Sequence, residues 1–101
     1  MNAALAKARA YGVPVSFADL GTWGEGELRS EYDPLACEIR INAGYAQALH
    51  PSQLGTFVTL AIGHELYHHR EHIGEIPAIA DRAERERAAT GYALALLHES
   101  A

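Results

Sequence analysis

The spacing of apolar and polar residues changes several times along the chain, and each change marks an element. Residues 2–11 carry Ala3, Leu5, Ala6, Ala8 and Ala10, all good helix formers, and Gly12 and Pro14 end the run. Val13 to Phe17 predicts a short strand. From 27 to 32 the period is two, with Leu28, Ser30 and Tyr32 on one face and Arg29 and Glu31 on the other. Asp33-Pro34 marks a turn. Residues 37–41 alternate again, with Cys37, Ile39 and Ile41 set against Glu38 and Arg40. These two runs predict a hairpin with one buried face. Asn42 to Leu49 predicts a short helix or turn.

A longer period then takes over. Pro51-Ser52 reads as a helix entry with Ser52 as N-cap. Leu54, Phe57, Val58, Ala61, Ile62 and Leu66 keep a helical repeat, and Gly74 is a natural stop. Pro77 can open a last helix at its first turn. That helix carries Ile79, Ala83, Ala89, Tyr92, Ala93, Leu96 and Leu97 and ends near His98. The predicted class is α+β: an N-terminal helix, a small antiparallel or mixed sheet, a long helix and a C-terminal helix.

Composition narrows the picture. A chain of 101 residues, 49% hydrophobic and 21% charged, is expected to form one globular domain spanning 1–101. A formal net charge of −5 argues against a nucleic-acid-binding surface. With Cys37 alone, no disulfide forms within the chain and no cysteine-based zinc knuckle is possible, which fits a reducing cytosol. Lys7 and Arg9 interrupt the alanine-rich start, so it does not read as a signal peptide. No apolar run approaches the ~20 residues that span a bilayer. The expectation is a cytoplasmic protein without membrane or direct nucleic-acid contacts.

The chemistry concentrates in "GHELYHHREH", residues 63–72, which holds four of the six histidines. Within it, His64-Glu65-Leu66-Tyr67-His68 is an H-E-x-x-H pattern in the second half of the long helix. Positions i and i+4 of a helix lie one above the other, so His64 and His68 can bind one ion through two imidazoles. Glu65 is rotated by about 100° from His64 and cannot join them as a ligand, but it can reach a water on that metal. Zinc with three protein ligands and a water lowers that water's pKa to about 7, and Glu65 would serve as general base and then acid. The competing reading is a polar surface helix, and His69, Arg70 and Glu71 do look like a solvated face. The apolar stretch upstream argues that the histidine pair continues a buried stripe, where unpartnered imidazoles would be costly.

The last helix and its start offer Asp81, Glu84, Glu86, His98 and Glu99 as third ligand. Ile79, Ala83, Glu86, Thr90, Ala93 and Leu97 form one helical stripe that is apolar or small except at Glu86 and Thr90. Glu84 lies about 200° from Glu86 and should face away. A carboxylate on a core-facing stripe needs a partner, so Glu86 is the expected ligand, against the alternative of a surface pair with Arg82 or Arg87. His72, four residues after His68, could support the site, face substrate or simply sit at the helix end. Tyr67, Tyr32, Tyr45 and Tyr92 are open candidates for an oxyanion donor. Cys37 reads as a small buried hydrophobe rather than a ligand.

With these residues in hand, the chain resembles the ImmA/IrrE-type metallopeptidases, a minimal gluzincin fold. The likeness covers most of the chain: the opening helix into "YGVPV", the strand "CEIRIN", the helix with "HELYHHREH" and the final "ERAATGYALALL". His64, Glu65, His68 and His72 match the family's H-E-L-G-H-x-x-x-H. Glu86, Tyr92, Ala93, Leu96 and Leu97 match its last helix. Tyr67 replaces a common glycine, Ala88 the second acid and Thr90 an asparagine. The resemblance implies a zinc endopeptidase with one ion per chain, often acting on a helix-turn-helix transcriptional repressor. It also implies that a substrate strand adds to the sheet edge at Cys37 to Asn42 or its neighbour. The alternative is a catalytically silent, metal-stabilised protein-binding module with the same fold. The intact Glu65 favours the enzyme, since a structural site has no need of it.

Overall fold

The first helix, α1 (Ala3–Ala10), starts where the Asn2 side chain accepts a hydrogen bond from the Leu5 amide at 3.0 Å. It ends at Gly12, whose φ of +71° suits a residue without Cβ. The amides of Gly12 and Val13 then donate back to Arg9 and Ala8. Val13 is thereby buried in the core, and the first strand begins later than its apolar pattern predicts. This computed structural model describes residues 2–23, 26–27 and 29–100, with the backbone alone at 22–23 and 26–27. Leu28, expected on the buried face of a strand, lies outside the described residues.

Among the described residues, five strands follow: β1 (Val15–Ala18), β2 (Thr22–Trp23), β3 (Gly26–Glu27), β4 (Ser30–Asp33) and β5 (Glu38–Asn42). β2 and β3 form a small antiparallel pair. The other three make one mixed sheet in the order β1-β5-β4. β4 and β5 are the expected hairpin, with Tyr32 opposite Ile39 and Ser30 opposite Ile41. β1 joins β5 in parallel, Val15 facing Ile39 and Phe17 facing Ile41. The strand at Cys37 to Asn42 is therefore central, not an edge. The edges beside it are its two neighbours, β1 and β4.

Alternation along β5 sends Ile39 and Ile41 into the core and Arg40 to the other face. There Arg40 donates to Glu31 at 2.8 Å and Asp33 at 3.1 Å, and also pairs with Glu38. In the hairpin turn, Asp33 accepts from the amides of Leu35 and Ala36. Cys37, expected in the core, is instead half-buried in this turn at φ +52°. The turn takes it out of the alternation that buries Ile39 and Ile41.

Three helices complete the chain: α2 (Ala43–Ala48), α3 (Pro51–His72) and α4 (Arg82–Ser100). His50, not Ser52, caps α3: its Nδ1 accepts from the Ser52 amide at 3.1 Å while Pro51 takes the first turn. Gly74, at φ +78°, follows the end of α3. α4 begins at Arg82 rather than Pro77, because Asp81 accepts from the Ala83 amide at 3.0 Å and provides the start signal.

The core joins Ala4, Ala8 and Val13 to Ile39, Ile41, Ile62, Leu66 and Leu96; the sheet rests on α3, and α1 rests on α3 and α4. Gly63 sets the approach of α3 to α4. A Cβ there would lie 2.7 Å from Ala93 Cα, so only hydrogen fits between the helices. The expected line of small residues on α4 is rotated: Ala89, Ala93 and Leu96 are buried, while Ala83 and Thr90 are exposed. Mixed helix and sheet make the fold α+β. No helix among the described residues is long and apolar enough to cross a membrane.

Candidate metal centre

His64 and His68 stand one turn apart on α3, and their Nε2 atoms lie 3.4 Å apart. α4 runs antiparallel to α3, since Gly63 meets Ala93 while His64 meets Glu86 further back along α4. Glu86 places Oε2 2.7 Å from His64 Nε2 and Oε1 3.6 Å from His68 Nε2. One ligand atom from each residue lies within 4.8 Å of the others, so the group could hold a metal ion. The Glu86 side chain is 44% exposed, so this carboxylate sits at the rim of the helix contact rather than in the middle of a buried stripe. Glu84 and Glu99 face solvent, as does His98, and Asp81 is used as the cap of α4.

The chemistry of the donors fits zinc. Tetrahedral zinc with bonds of about 2.0–2.1 Å holds neighbouring ligand atoms about 3.3 Å apart. His64 Nε2 lies 2.7 Å from Glu86 Oε2 and 3.4 Å from His68 Nε2, two spacings that bracket that value. A metal-binding imidazole must offer a lone pair and send its other N–H elsewhere. Glu71 meets this need for His68, with Oε1 3.0 Å from Nδ1. A carboxylate accepts and does not donate, so Nδ1 is the donor, and Nε2 is the atom left to carry a lone pair for a metal. The other Glu71 oxygen accepts from the Ile79 amide at 3.4 Å, fixing the carboxylate against the loop before α4. Glu71 is thus part of the site, although it reads from sequence as solvated surface. Its place three residues after a ligand histidine was the available signal.

Glu65 stands outside the candidate ligand group and is 7% exposed, between α3 and β4. Its Oε2 accepts from the Ser30 hydroxyl at 2.7 Å. Burial raises its carboxyl pKa above the ordinary range; Ser30 and the charges of His64 and His68 oppose the rise, and Glu86 adds to it. Glu65 and His64 line one cavity of about 360 Å³ with Arg29, Ser30, Phe57, Leu60 and Ala61. A carboxylate and a candidate ligand therefore share a wall with an apolar floor. Ser30 carried no sequence signal, because its role depends on a strand meeting a helix.

His69 is a correction to the solvated face expected for residues 69–71. It is 5% exposed, and its Nδ1 lies 2.7 Å from the Tyr32 hydroxyl. Burial lowers its pKa, the charge of His72 lowers it further, and Glu75 opposes both. His72 itself is exposed and lies edge-on to Tyr32, outside the metal group. Among the other tyrosines, Tyr67 packs between His68 and Tyr92, Tyr92 lies under Arg70, and Tyr45 stacks on Phe57 beneath Arg29. Cys37 is not in the metal group.

No family model matches the chain, and no match is found among curated proteins or solved structures.

Proposed function

We propose that this chain is a zinc-dependent endopeptidase of the HExxH gluzincin type, similar to the ImmA/IrrE metallopeptidases. One observation supports it above the others: buried Glu65 shares a cavity with His64 but stays out of the ligand group. A metal that only braces two helices needs His64, His68 and Glu86 and has no use for Glu65.

His64, His68 and Glu86 would hold the zinc, and Glu71 would keep the His68 ring in the ligating tautomer. A zinc ion bound there supplies a Lewis acid and a water that ionises near neutral pH, with a pKa of about 7. Glu65 would be the group that holds the proton taken from water and returns it to the leaving amine. Ser30 holds the Glu65 carboxylate in place through its 2.7 Å hydrogen bond. Substrate backbone would pair along the β4 edge, the neighbour of the central strand, with one side chain on Phe57, Leu60 and Ala61. By resemblance, the substrate is a protein such as a helix-turn-helix repressor, met in the cytoplasm.

The test compares wild type with Glu65→Gln at matched zinc content. Glutamine keeps the shape and cannot accept the proton, so cleavage should fall about 10²–10⁴-fold with zinc retained. Equal cleavage by both proteins removes Glu65 from the mechanism. If zinc-loaded wild type cleaves neither helix-turn-helix repressors nor unfolded proteins, the silent binding module replaces this reading.

A further inference from the structure

A second cavity, of about 280 Å³, follows the first along α3. The first takes Phe57 to Glu65 from this helix, and the second takes His68 to His72. β4 runs beside both in the same order, with Ser30 at the first and Tyr32 at the second. His64 lines one cavity and His68 the other, so the metal group stands between them.

The second cavity contains an arginine with nothing to hold. Arg85 is half-buried, and its Nε is shielded from solvent with no hydrogen-bond partner among the described residues. A guanidinium normally resolves this by pairing. Arg40 does so with three carboxylates, Arg70 with Glu75 and the Tyr92 ring, and Arg29 with the Tyr45 ring. The acid among the lining residues is Glu71, and it is already engaged: one oxygen with His68 and the other with the Ile79 amide. Its side chain is only 9% exposed. The remaining wall is Tyr32, Pro34, His72 and Ala78, none of them an anion. A planar fork of donors in such a place matches a carboxylate, which accepts two parallel N–H bonds.

We infer that Arg85, with His72 and Tyr32 beside it, forms a carboxylate-binding subsite on the far side of the metal centre from the cavity that Glu65 lines. The inference deepens the peptidase reading and rests on it for what carries the carboxylate. The ligand is a substrate segment with an apolar side chain on one side of the metal and a carboxylate on the other. That carboxylate belongs either to an Asp or Glu side chain or to the segment's C-terminus.

The test is amide chemical-shift titration of the full-length, zinc-loaded protein with three probes. N-acetylglutamic acid α-amide offers a side-chain carboxylate, N-acetylalanine a terminal one, and N-acetylglutamine α-amide neither. At least one acid should shift the amides of Tyr32, His72 and Arg85, and the neutral probe should leave them in place. Whichever acid binds more tightly identifies the source. Arg85→Met keeps the apolar stem and removes the charge, so binding should weaken about tenfold or more, and Arg85→Lys should recover part of it. Zinc content is measured on each variant, so a disturbed neighbouring Glu86 is recognised. Acids that shift only residues around His64 and His68, or that bind Arg85→Met as tightly as wild type, overturn the subsite. Failure here with Glu65-dependent cleavage intact removes the subsite alone. Arg85-dependent binding without any cleavage keeps the subsite and removes the peptidase.

Discussion

Two charged clusters sit on this small sheet and its supporting helices, and they are built on opposite terms. On the outer face of the hairpin, Arg40 gathers Glu31, Asp33 and Glu38. The cation and the anions all come from strands that are already paired, so the cluster is complete within itself. At the α3–α4 contact, two imidazole nitrogens and a carboxylate converge within 4.8 Å, and a cation comes from those side chains only if a histidine takes a proton. Around this second cluster the chain spends further groups: Glu71 orients His68, and Gly63 gives up its side chain so that α4 can approach. The contrast separates scaffolding from a binding site. A cluster that already contains its own cation staples a hairpin, whereas converging acceptors held from behind could hold an ion.

The largest expected effect belongs to the metal. Ligation free energy becomes folding free energy, so zinc at a thousandfold above its Kd should stabilise the protein by about 4 kcal/mol. His64→Ala should abolish that gain, and Arg40→Met should leave it unchanged. Thermal melts with zinc and with chelator check both statements. Superimposable melts for the wild type, with zinc confirmed bound in one sample, would break the comparison.

Gly63→Ala comes next and touches only one cluster. A methyl group 2.7 Å from the Ala93 backbone must push α4 outward. Overpacking of this kind typically costs about 1–3 kcal/mol. It should also weaken zinc binding, because Glu86 rides on the displaced helix. Chelator competition beside a denaturant melt reads the two effects separately. A loss of stability with unchanged zinc affinity would show that the helix approach does not place Glu86.

The Arg40 cluster should give the smallest effect. Its side chains are a quarter to a third exposed, and such pairs are weak and screened by salt. The Asp33 carboxyl is held below its ordinary pKa by Arg40 first, then by the Ala36 and Leu35 amides. A depressed carboxyl contributes stability that is fully present above the unfolded pKa of about 3.9 and lost as pH falls through the folded value. Arg40→Met should therefore flatten the acid side of the stability curve below about pH 4 and do little at neutral pH. An unchanged acid limb would show that the two amides alone hold Asp33.

Much of the site was legible because its parts are local. The i, i+4 spacing of His64 and His68 and the rotation of Glu65 away from their line follow from helix geometry, and the structure groups the two histidines with Glu86 and leaves Glu65 outside that group. Glu86 was chosen from a stripe that is itself offset: Thr90 is exposed and Ala89 is buried. The stripe was ambiguous because α4 carries small residues on several faces, and the face that packs is decided by contact with Gly63 on another helix. The hairpin was readable from its alternation, but the parallel docking of β1 onto β5 is a long-range pairing without local signal. His69 looked like surface in a run of polar residues, and Tyr32 from the distant hairpin supplies the partner that lets it be buried. Arg85 reads as one more helix charge until the cavity around it is seen.

The central claim, a metal centre made by His64, His68 and Glu86, is tested most directly by zinc affinity in Glu86→Gln and Glu84→Gln. The account predicts one zinc per chain in the wild type and in Glu84→Gln. For Glu86→Gln it predicts a loss of affinity larger than the about 10- to 100-fold that follows removal of an outer hydrogen bond. Full affinity in Glu86→Gln together with loss in Glu84→Gln would contradict it.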